Sequence, residues 1–371
     1  MDPSPFFPLL QDDSVPPALR NIAEKVQKND RITPEEGLNL YEQAGTGFLS
    51  FLAELARQRK NGNDVFYIRN FHIEPTNICV NRCRFCSYSH HFSPVSWDLP
   101  VEEMLDTVRS QDPDVREVHI TGAVHPGKDL NYYGDLLKKI RAERPGIHIK
   151  ALSAVELDYM VKQAKTTCEE ALAFLRSCGL DSIPGGGAEI LDDELRREIC
   201  PAKASAGAWL EIHETAHRLG IPSNATMLYG HIENYRHRIR HLELIRDLQD
   251  RTGGFNAFIP LKFRNRNNEL SGIPEAIILE DMRNYAITRI FLDNITHIKG
   301  YWPMVGKSFA QLSLSFGVDD LDGTINDSTH IYSLAGAEEQ NPAMTVSEMI
   351  SLIRGAKRTP VERDSLYRKV N

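Results

Sequence analysis

Short strand-like runs alternate with longer amphipathic segments from about residue 65 to residue 316, and this alternation limits the fold more than any other feature of the sequence. A strand followed by a helix, repeated along a chain, predicts a parallel sheet whose outer face is covered by helices. Eight runs fit a strand, and they lie at Val65–Ile73, Glu117–Thr121, His148–Leu152, Leu180–Ile183, Ser223–Leu228, Ala257–Leu261, Arg289–Leu292 and Gln311–Phe316. Eight such units in about 250 residues predict an α/β fold, a (β/α)8 barrel of the TIM type rather than an open sheet.

Helical segments flank the predicted barrel on both sides. Residues 16–60 have helical spacing, and Thr33 with Glu36 forms the signature of a capping box, with a proline at the first helical position. Thr345 and Glu348 form a second such signature in the tail. We therefore predict a helical extension at 1–60, the barrel at 61–330 and a C-terminal extension at 331–371 that packs on the barrel.

The charge and the termini exclude several classes of protein. The chain has 43 Lys and Arg against 51 Asp and Glu, a formal net charge of −8, which argues against a nucleic-acid partner. The N-terminal residues 1–7 lack the basic region and apolar core of a signal peptide, and no window approaches the ~20 apolar residues of a membrane span. We therefore expect a cytoplasmic protein with reduced thiols and no membrane partner. The sequence does not set its oligomeric state.

Three of the six cysteines lie close together, and this cluster is the strongest functional signal in the chain. Cys79, Cys83 and Cys86 follow the first predicted strand directly, with the aromatic Phe85 before the last of them. The loop after a barrel strand opens on the face where such barrels build active sites. Soft thiolate ligands suit zinc or an iron–sulfur cluster. The other cysteines, at 168, 178 and 200, are scattered, and we interpret them as structural.

Two kinds of metal site remain open from the residues alone. A structural zinc site would take His90 or His91 as its fourth ligand, although such sites usually combine two separate ligand pairs. Alternatively, three cysteines would bind three irons of a 4Fe–4S cluster and leave the fourth iron free for a substrate. The first hypothesis describes a protein that is not an enzyme, and the second describes a catalyst.

The Cys-x3-Cys-x2-Cys spacing resembles the signature of radical S-adenosylmethionine (SAM) enzymes, whose cluster loop also follows the first strand of a barrel. Five further segments resemble the radical enzymes of the menaquinone (futalosine) pathway and their deazaflavin-cofactor relatives, and they lie at 77–83, 183–190, 224–233, 254–260 and 335–342. The resemblance implies the radical SAM form of the barrel, with helical extensions at both ends.

The resemblance is greatest to the aminofutalosine synthases. It implies a 4Fe–4S cluster on Cys79, Cys83 and Cys86, and SAM consumed as a co-substrate. The 5′-deoxyadenosyl radical from SAM would add to 3-[(1-carboxyvinyl)oxy]benzoate, and aryl migration and decarboxylation would give 6-amino-6-deoxyfutalosine. The alternatives within the resemblance are the sister dehypoxanthine futalosine cyclase, which shares the Pro-Gly-Gly-Gly-Ala-Glu run, and a deazaflavin-cofactor synthase subunit. A one-electron donor such as flavodoxin or ferredoxin is also implied, and an acidic donor would need a local basic patch on this acidic chain.

Polar residues and glycines after the predicted strands are candidates for binding SAM. Consecutive glycines let a backbone approach a ligand closely, and a polar residue after the third strand can bind ribose. The family's Gly-Gly-x-His-Pro form is altered here, because Ala123 replaces the second glycine. The candidates are Phe85, Tyr88, Thr121, Gly122, Ser153, Glu156, Gly186 and Glu189.

A second set of residues is predicted to act on or bind the other substrate. A dicarboxylate substrate needs cations to bind it. Polar residues lie at the end of the fifth predicted strand, and two cations, Lys262 and Arg264, follow the sixth. The predicted catalytic residues are His72, Glu74, His125, Asn224, Thr226 and His231. The predicted substrate-binding residues are Tyr229, Lys262, Arg264 and Asp293.

Overall fold

The computed structural model describes residues 15–326 and 328–370, so the N-terminal segment at 1–7 lies outside the described residues. Its strands are short and, apart from the last, belong to one barrel. They are β1 (Asp64–Ile68), β2 (Asn70–Ile73), β3 (Glu117–Ile120), β4 (His148–Ala151), β5 (Ser223–Tyr229), β6 (Phe255–Lys262), β7 (His297–Ile298), β8 (Asp320–Gly323) and β9 (Thr359–Glu362).

The strands close into a parallel ring of eight positions. β2, β3 and β4 pair in that order, and so do β5, β6 and β7. Ser182 and Ile183 bridge β4 to β5 and hold the fourth position without forming a full strand. Lys299 bridges to Asp320 of β8, and β8 pairs with β1, which runs into β2 across a single residue. The predicted α/β barrel is therefore confirmed, and the first predicted strand is present in two parts.

Helices cover the outer face of the ring and extend it at both ends. They are α1 (Pro17–Lys28), α2 (Pro34–Gln43), α3 (Thr46–Asn61), α4 (Val101–Ser110), α5 (Leu130–Glu143), α6 (Ala154–Ala164), α7 (Cys168–Cys178), α8 (Asp193–Ile199), α9 (Ala206–Arg218), α10 (Tyr235–Thr252), α11 (Ile278–Phe291), α12 (Trp302–Val305), α13 (Lys307–Ser313), α14 (Ile331–Leu334) and α15 (Val346–Gly355). Both predicted capping boxes are present, at Thr33 and at Thr345. Among the described helices, none has the length and apolar character required to span a bilayer.

Two predicted strands are wrong. The run Arg289–Leu292 is the end of α11, a helix buried on so many sides that its sequence lacks a helical polar face. The run Gln311–Phe316 alternates polar and apolar residues, yet it forms the end of α13 and the turn after it. The true seventh and eighth strands are short, β7 with two residues and β8 with the sequence Asp-Leu-Asp-Gly, so neither has an apolar alternation that would reveal it.

The C-terminal tail adds a strand to the barrel that the sequence did not predict. β9 pairs in parallel with β1, on the side of β1 away from β8. The Arg363 guanidinium that follows it donates to the Asp320 carboxylate at 2.5 Å, and both side chains are buried. The tail is thus tied to the strand that closes the ring.

The inner wall of the barrel differs between two contiguous groups of strands. We call the wall formed by β7, β8, β2, β3 and β4 the charged half, and it carries His72, Glu117, His119, Lys150, Lys299 and Asp322. We call six residues on or next to β5 and β6 the uncharged half, namely Asn224, Thr226, Leu228, Ile259, Leu261 and Phe263; Lys262 and Arg264, at the end of the same wall, are not part of it. Both halves line one cavity of about 290 Å³ that opens beneath the cysteine loop.

Candidate active site

The cysteine loop is shaped by the side chain of Asn77, which is fully buried. Its amide nitrogen donates to the carbonyl oxygens of Tyr88 and Val95, at 3.2 and 2.8 Å. Its amide oxygen accepts from the backbone N–H of Trp97 at 2.9 Å. The Tyr88 hydroxyl in turn donates to the Thr76 carbonyl at 3.0 Å. The loop therefore has a defined shape set by its own residues.

The three thiols of the loop are free and line the cavity together. The backbone N–H groups of Asn81 and Ser89 lie 3.4 Å from the sulfur atoms of Cys79 and Cys86 and donate to them. Hydrogen bonds of this kind are among the factors that set the potential of iron–sulfur clusters. Burial raises the pKa of Cys83 and of Cys86, so these two thiols keep their protons until a metal displaces them. The donor set fits a cluster bound by three cysteines.

The two histidines considered as zinc ligands have other partners. The His90 ring accepts from the Cys79 backbone N–H at 3.1 Å, and the His91 ring nitrogen donates to the Cys79 carbonyl at 3.0 Å. Within residues 15–326 and 328–370, no three His, Cys, Asp or Glu side chains are grouped tightly enough to hold a single metal ion. In a 4Fe–4S cluster each cysteine binds its own iron, so the sulfur atoms need not converge on one point.

In the glycine run after the fourth barrel position, the middle residue has free space around its α-carbon, whereas the residues on either side of it do not. A Cβ on Gly185 would lie 2.7 Å from the Asn224 carbonyl oxygen, and one on Gly187 would lie 2.4 Å from a Val155 methyl carbon, with a φ of +84° at Gly187. At Gly186 the nearest atom would be 3.8 Å away. The backbone of Gly186 is therefore open to the cavity, whereas its neighbours are fixed by packing.

A buried arginine, missed in the sequence, holds this glycine run in place. Arg196 donates to the carbonyl oxygens of Gly187 at 3.2 Å, Ala188 at 2.5 Å and Ala204 at 3.1 Å. The Thr226 hydroxyl donates to the Gly185 carbonyl at 2.6 Å. Thr226 lines the cavity as predicted, and this bond shows that it also positions the loop.

Glu156 is buried and supports the site from outside the cavity. Its carboxylate accepts from the Ser153 backbone N–H at 2.8 Å and from the Ser153 hydroxyl at 2.6 Å, which forms a capping box at the start of α6. Burial raises the pKa of Glu156 to about 7, although hydrogen bonds from Ser153 and from the Gly122 backbone act to lower it. Ser153 and Gly122 themselves line the cavity.

Glu189 and Lys203 form an ion pair at 2.6 Å beside the cysteine loop. The Lys203 ammonium lies 5.1 Å from the centre of the Phe85 ring, a cation–π distance. Glu189 has a φ of +46°, which turns its side chain back toward Lys203. Glu189, Lys203 and Phe85 all line the cavity, so a charged pair lies next to the cysteines.

The charged half of the wall contains two buried ion pairs. Lys150 lies 2.7 Å from Glu117, and Lys299 lies 2.7 Å from Asp322. Burial opposes ionisation of Glu117, yet Lys150 and other nearby cations hold its pKa well below its ordinary value. Asp322 is held below its ordinary value in the same way by Lys299. Two cations and two anions therefore leave this wall without net charge.

Two histidines lie among these ion pairs. The rings of His72 and His119 meet edge to face at 4.7 Å, and burial lowers the pKa of His72 to about 4 and that of His119 well below its ordinary value. Both nitrogens of His72 and the Nε2 of His119 are buried without a hydrogen-bond partner. Both rings are therefore neutral at neutral pH, and both residues line the cavity.

Most of the residues that the sequence predicts for the site line the cavity. They are His72, Cys79, Cys83, Phe85, Cys86, Tyr88, Thr121, Gly122, Ser153, Gly186, Glu189, Asn224, Thr226, Lys262 and Arg264. Lys262 and Arg264 already have acidic partners, Asp281 at 2.8 Å and Glu275 at 2.7 Å. Lys262 also donates to the Ala276 carbonyl and Arg264 to the Met304 carbonyl, so these two cations have fewer free donors for a second anion than their position in the sequence suggested.

Three predicted residues at the strand ends are buried outside the cavity. Glu74 accepts from the Thr329 hydroxyl at 2.6 Å, and the Tyr229 hydroxyl donates to Asp281 at 2.9 Å. His231 donates through Nε2 to the Leu228 carbonyl at 3.1 Å. Each has a structural partner, so each can act on the cavity only through its neighbours.

The remaining two predicted residues also lie outside the cavity lining. His125 accepts from the backbone N–H of Gly127 at 3.0 Å within a tight turn. Asp293 pairs with Arg31 at 2.9 Å, at the N-terminal helical extension. Asp293 was placed at a strand end because the run before it was predicted as a strand, and that run is the end of α11.

Several residues of the cavity wall were not predicted from the sequence. They are Glu117, His119, Lys150, Lys203, Lys299, Tyr301, Asp322 and Tyr332. Period-two alternation within the predicted second strand would have placed Glu117 and His119 on the same face as Thr121. Lys299 and Asp322 gave no such signal, because the strands that carry them were not recognised.

Comparisons with protein families cover nearly the whole barrel and the tail. The radical SAM superfamily model matches residues 73–245, and the model of the CofH/MqnC C-terminal region matches residues 252–370. The chain is 42% identical over 360 residues to an aminodeoxyfutalosine synthase of Thermus thermophilus, covering 95% of this chain and 96% of that one.

Two further relatives have other names. A 5-amino-6-(D-ribitylamino)uracil–L-tyrosine 4-hydroxyphenyl transferase of Methanothermobacter thermautotrophicus is 38% identical over 95% of this chain and 97% of its own. A cyclic dehypoxanthine futalosine synthase of Streptomyces coelicolor is 38% identical over 94% of this chain and 88% of its own.

Solved structures show the same fold at low identity. Methylornithine synthase (PylB) is similar with a TM-score of 0.71 at 18% identity, covering 91% of this chain and 95% of that one. HydG, a maturase of the FeFe-hydrogenase, is similar with a TM-score of 0.72 at 17% identity, covering 93% and 76%. The chain therefore belongs to the radical SAM superfamily and is an enzyme with a CofH/MqnC C-terminal region.

Proposed function

We propose that this enzyme is an aminodeoxyfutalosine synthase of menaquinone biosynthesis. The observation that carries the proposal is the 42% identity to the Thermus thermophilus enzyme of that name, spread over 95% of this chain. The substrates would be SAM and 3-[(1-carboxyvinyl)oxy]benzoate. The product would join the adenosyl unit to the rearranged aryl group after loss of one carboxyl group as carbon dioxide or bicarbonate.

The cysteine loop would hold the cofactor of this reaction. A 4Fe–4S cluster on Cys79, Cys83 and Cys86 would supply the electron that splits SAM into methionine and the 5′-deoxyadenosyl radical. Asn77 fixes the loop, and the N–H groups of Asn81 and Ser89 aimed at two of the sulfur atoms stabilise negative charge there.

SAM would lie between the cysteine loop and the open glycine. The exposed backbone of Gly186 allows close approach of a ribose or adenine, and Thr121, Gly122 and Ser153 line the same side of the cavity. The Glu189–Lys203 pair offers one acceptor and one cation beside the cysteines. These residues bind and orient the co-substrate and exclude water from a reactive radical.

The electron donor would reach the protein at the cysteine loop. Arg82 and Arg84 lie on this loop and are exposed, with 64% and 37% of each side chain accessible. They are the local basic patch that an acidic flavodoxin or ferredoxin requires. Both also face Glu269, so the patch is partly neutralised.

Mass spectrometry of an anaerobic reaction tests the proposal. The reconstituted enzyme with reductant, SAM and the enolpyruvyl benzoate should give a product that contains the adenosyl unit. Free 5′-deoxyadenosine with a product lacking that unit would favour a cyclase, which abstracts hydrogen. Activity only with tyrosine and 5-amino-6-(D-ribitylamino)uracil would favour the 4-hydroxyphenyl transferase, a relative that is 38% identical.

Two cysteine variants provide the matched control. Cys83→Ala should lose the bound iron and all product while the barrel stays folded, as checked by iron analysis and circular dichroism. Cys168→Ala, at the start of α7 and outside the cavity, should keep both. Stoichiometric zinc in the wild-type protein, with no cleavage of SAM, would instead support the structural hypothesis.

A further inference from the structure

The deep end of the cavity contains polar atoms for which the protein supplies no partner. His72 is 3% exposed, and neither of its ring nitrogens has a hydrogen-bond partner. The Nε2 of His119 is unpaired as well, and the two rings touch. Buried polar groups are nearly always paired in native proteins, so unpaired groups on residues that line a cavity are suited to take a ligand group as their partner.

The chemistry around these nitrogens indicates which ligand group is missing. A neutral imidazole donates one N–H, and an ammonium has three donors. Lys150 and Lys299 each use one donor for a carboxylate of the wall, at 2.7 Å, and so can donate further. An acceptor-only group would satisfy the histidine N–H groups and the remaining donors of both lysines, whereas a cationic group would bring only further donors to them. A carboxylate has this chemistry.

The position in the barrel indicates which part of a substrate lies there. His72 and His119 are register neighbours within β2 and β3, and the cysteine loop begins only after β2 has ended. The reactive end of a substrate must lie near the cysteines, so the opposite end lies at the histidines. Across the cavity, the uncharged half offers Leu228, Ile259 and Leu261 to an aromatic ring.

We propose that His72 and His119, with Lys150 and Lys299, form the binding site for the aryl carboxylate of the substrate. This inference rests on the proposed function, because it takes an enolpyruvyl benzoate as the substrate. The double bond would then lie toward the cysteines and the benzoate would lie deep in the barrel, its ring against the uncharged half. The two histidines donate to the carboxylate as neutral rings.

Binding of a substrate fragment tests this site without turnover. The probe is 3-hydroxybenzoate, which lacks the reactive double bond, and its affinity for the cluster-loaded enzyme with SAM is measured by calorimetry. The neutral 3-hydroxybenzamide has nearly the same shape. We expect the benzoate to bind at least tenfold more tightly than the benzamide. Equal affinities, or no binding of the benzoate to the wild-type enzyme, would overturn the proposal.

Phenylalanine variants separate binding from folding. His72→Phe and His119→Phe keep a ring in place and remove only unpaired polar atoms, so both should stay folded and lose at least tenfold in benzoate affinity. The matched control is His213→Phe in α9, a buried histidine that also has an unpaired ring nitrogen but lies outside the cavity lining. It should bind like the wild type.

The outcomes distinguish this inference from the proposed function. If His72→Phe and His119→Phe bind benzoate as tightly as the control does, the carboxylate site is wrong even when the adenosylated product is formed. If the product lacks the adenosyl unit but the variants lose benzoate affinity, the synthase assignment is wrong and the carboxylate site stands. Should either variant fail to fold, equal affinities of benzoate and benzamide for the wild-type enzyme would still overturn the carboxylate site.

Discussion

The two halves of the barrel wall are built from different kinds of contact. The uncharged half on β5 and β6 follows the usual pattern of such barrels, in which apolar side chains fill the interior. The charged half instead lines the cavity with two ion pairs and two neutral histidines. Apolar packing accounts for the first half, whereas the charged half needs another explanation, since a buried ion pair adds little net stability over apolar packing.

The largest expected effect comes from breaking one ion pair of the charged half. Lys150→Met leaves the Glu117 carboxylate buried without its partner, and this should lower the free energy of unfolding by about 3–5 kcal/mol. The measurement is urea denaturation under anaerobic conditions. Lys162→Met is the matched control, because its pair with Asp158 is at the surface, with 68% of the lysine exposed, and it should cost less than about 1 kcal/mol.

A double substitution sharpens this result. Lys150→Met with Glu117→Leu removes both charges, and it should recover most of the lost stability because no unpaired charge remains. A double variant as unstable as Lys150→Met would show that the pair acts through packing, and the contrast between the two halves would then lose its electrostatic basis.

The next effect concerns Glu74, just past the end of β2 in the charged half. Burial raises the pKa of Glu74 from 4.5 to about 7. In the unfolded chain Glu74 ionises near pH 4.5, whereas in the folded protein it keeps its proton until about pH 7. The contribution of Glu74 to the free energy of unfolding therefore falls as pH rises from 4.5 to about 7. Glu74→Gln mimics the protonated acid and removes this loss. Relative to wild type it should gain up to about 3 kcal/mol across the window.

The measurement is the free energy of unfolding at several pH values between 5 and 8. Glu348→Gln is the control, since hydrogen bonds from Thr345 lower the pKa of Glu348 and place its titration below this window. Its difference from wild type should therefore be flat there. Parallel curves for Glu74→Gln and wild type would contradict the buried protonated carboxyl.

The smallest effect is expected in the uncharged half. Leu228→Ala at the cavity wall should cost about 2 kcal/mol, the low end for such a change, because the leucine already adjoins an open cavity. It should leave the preference for benzoate over benzamide unchanged, since the substitution removes no charged or hydrogen-bonding group. Calorimetry with the two probes checks this, and a loss of the preference would show that the halves do not act separately.

The sequence predicted the uncharged half and the cysteine loop better than it predicted the charged half. Ser223–Leu228 and Ala257–Leu261 have strand-like composition and form β5 and β6. The residues of β7 and β8 are too few and too polar to stand out, although Lys299 and Asp322 decide the character of the wall. A residue such as Arg196 leaves no sequence signal, because its role depends on carbonyl oxygens brought together by the fold.

The cysteine loop also has a consequence for how the enzyme is assembled. Asn77, His90 and His91 hold the loop through backbone groups, and none of these bonds needs iron. These bonds would therefore keep the loop in shape, and its three thiols together, in a chain that has not yet received its metal. Maturation would then be a loading step on a folded protein rather than a part of its folding.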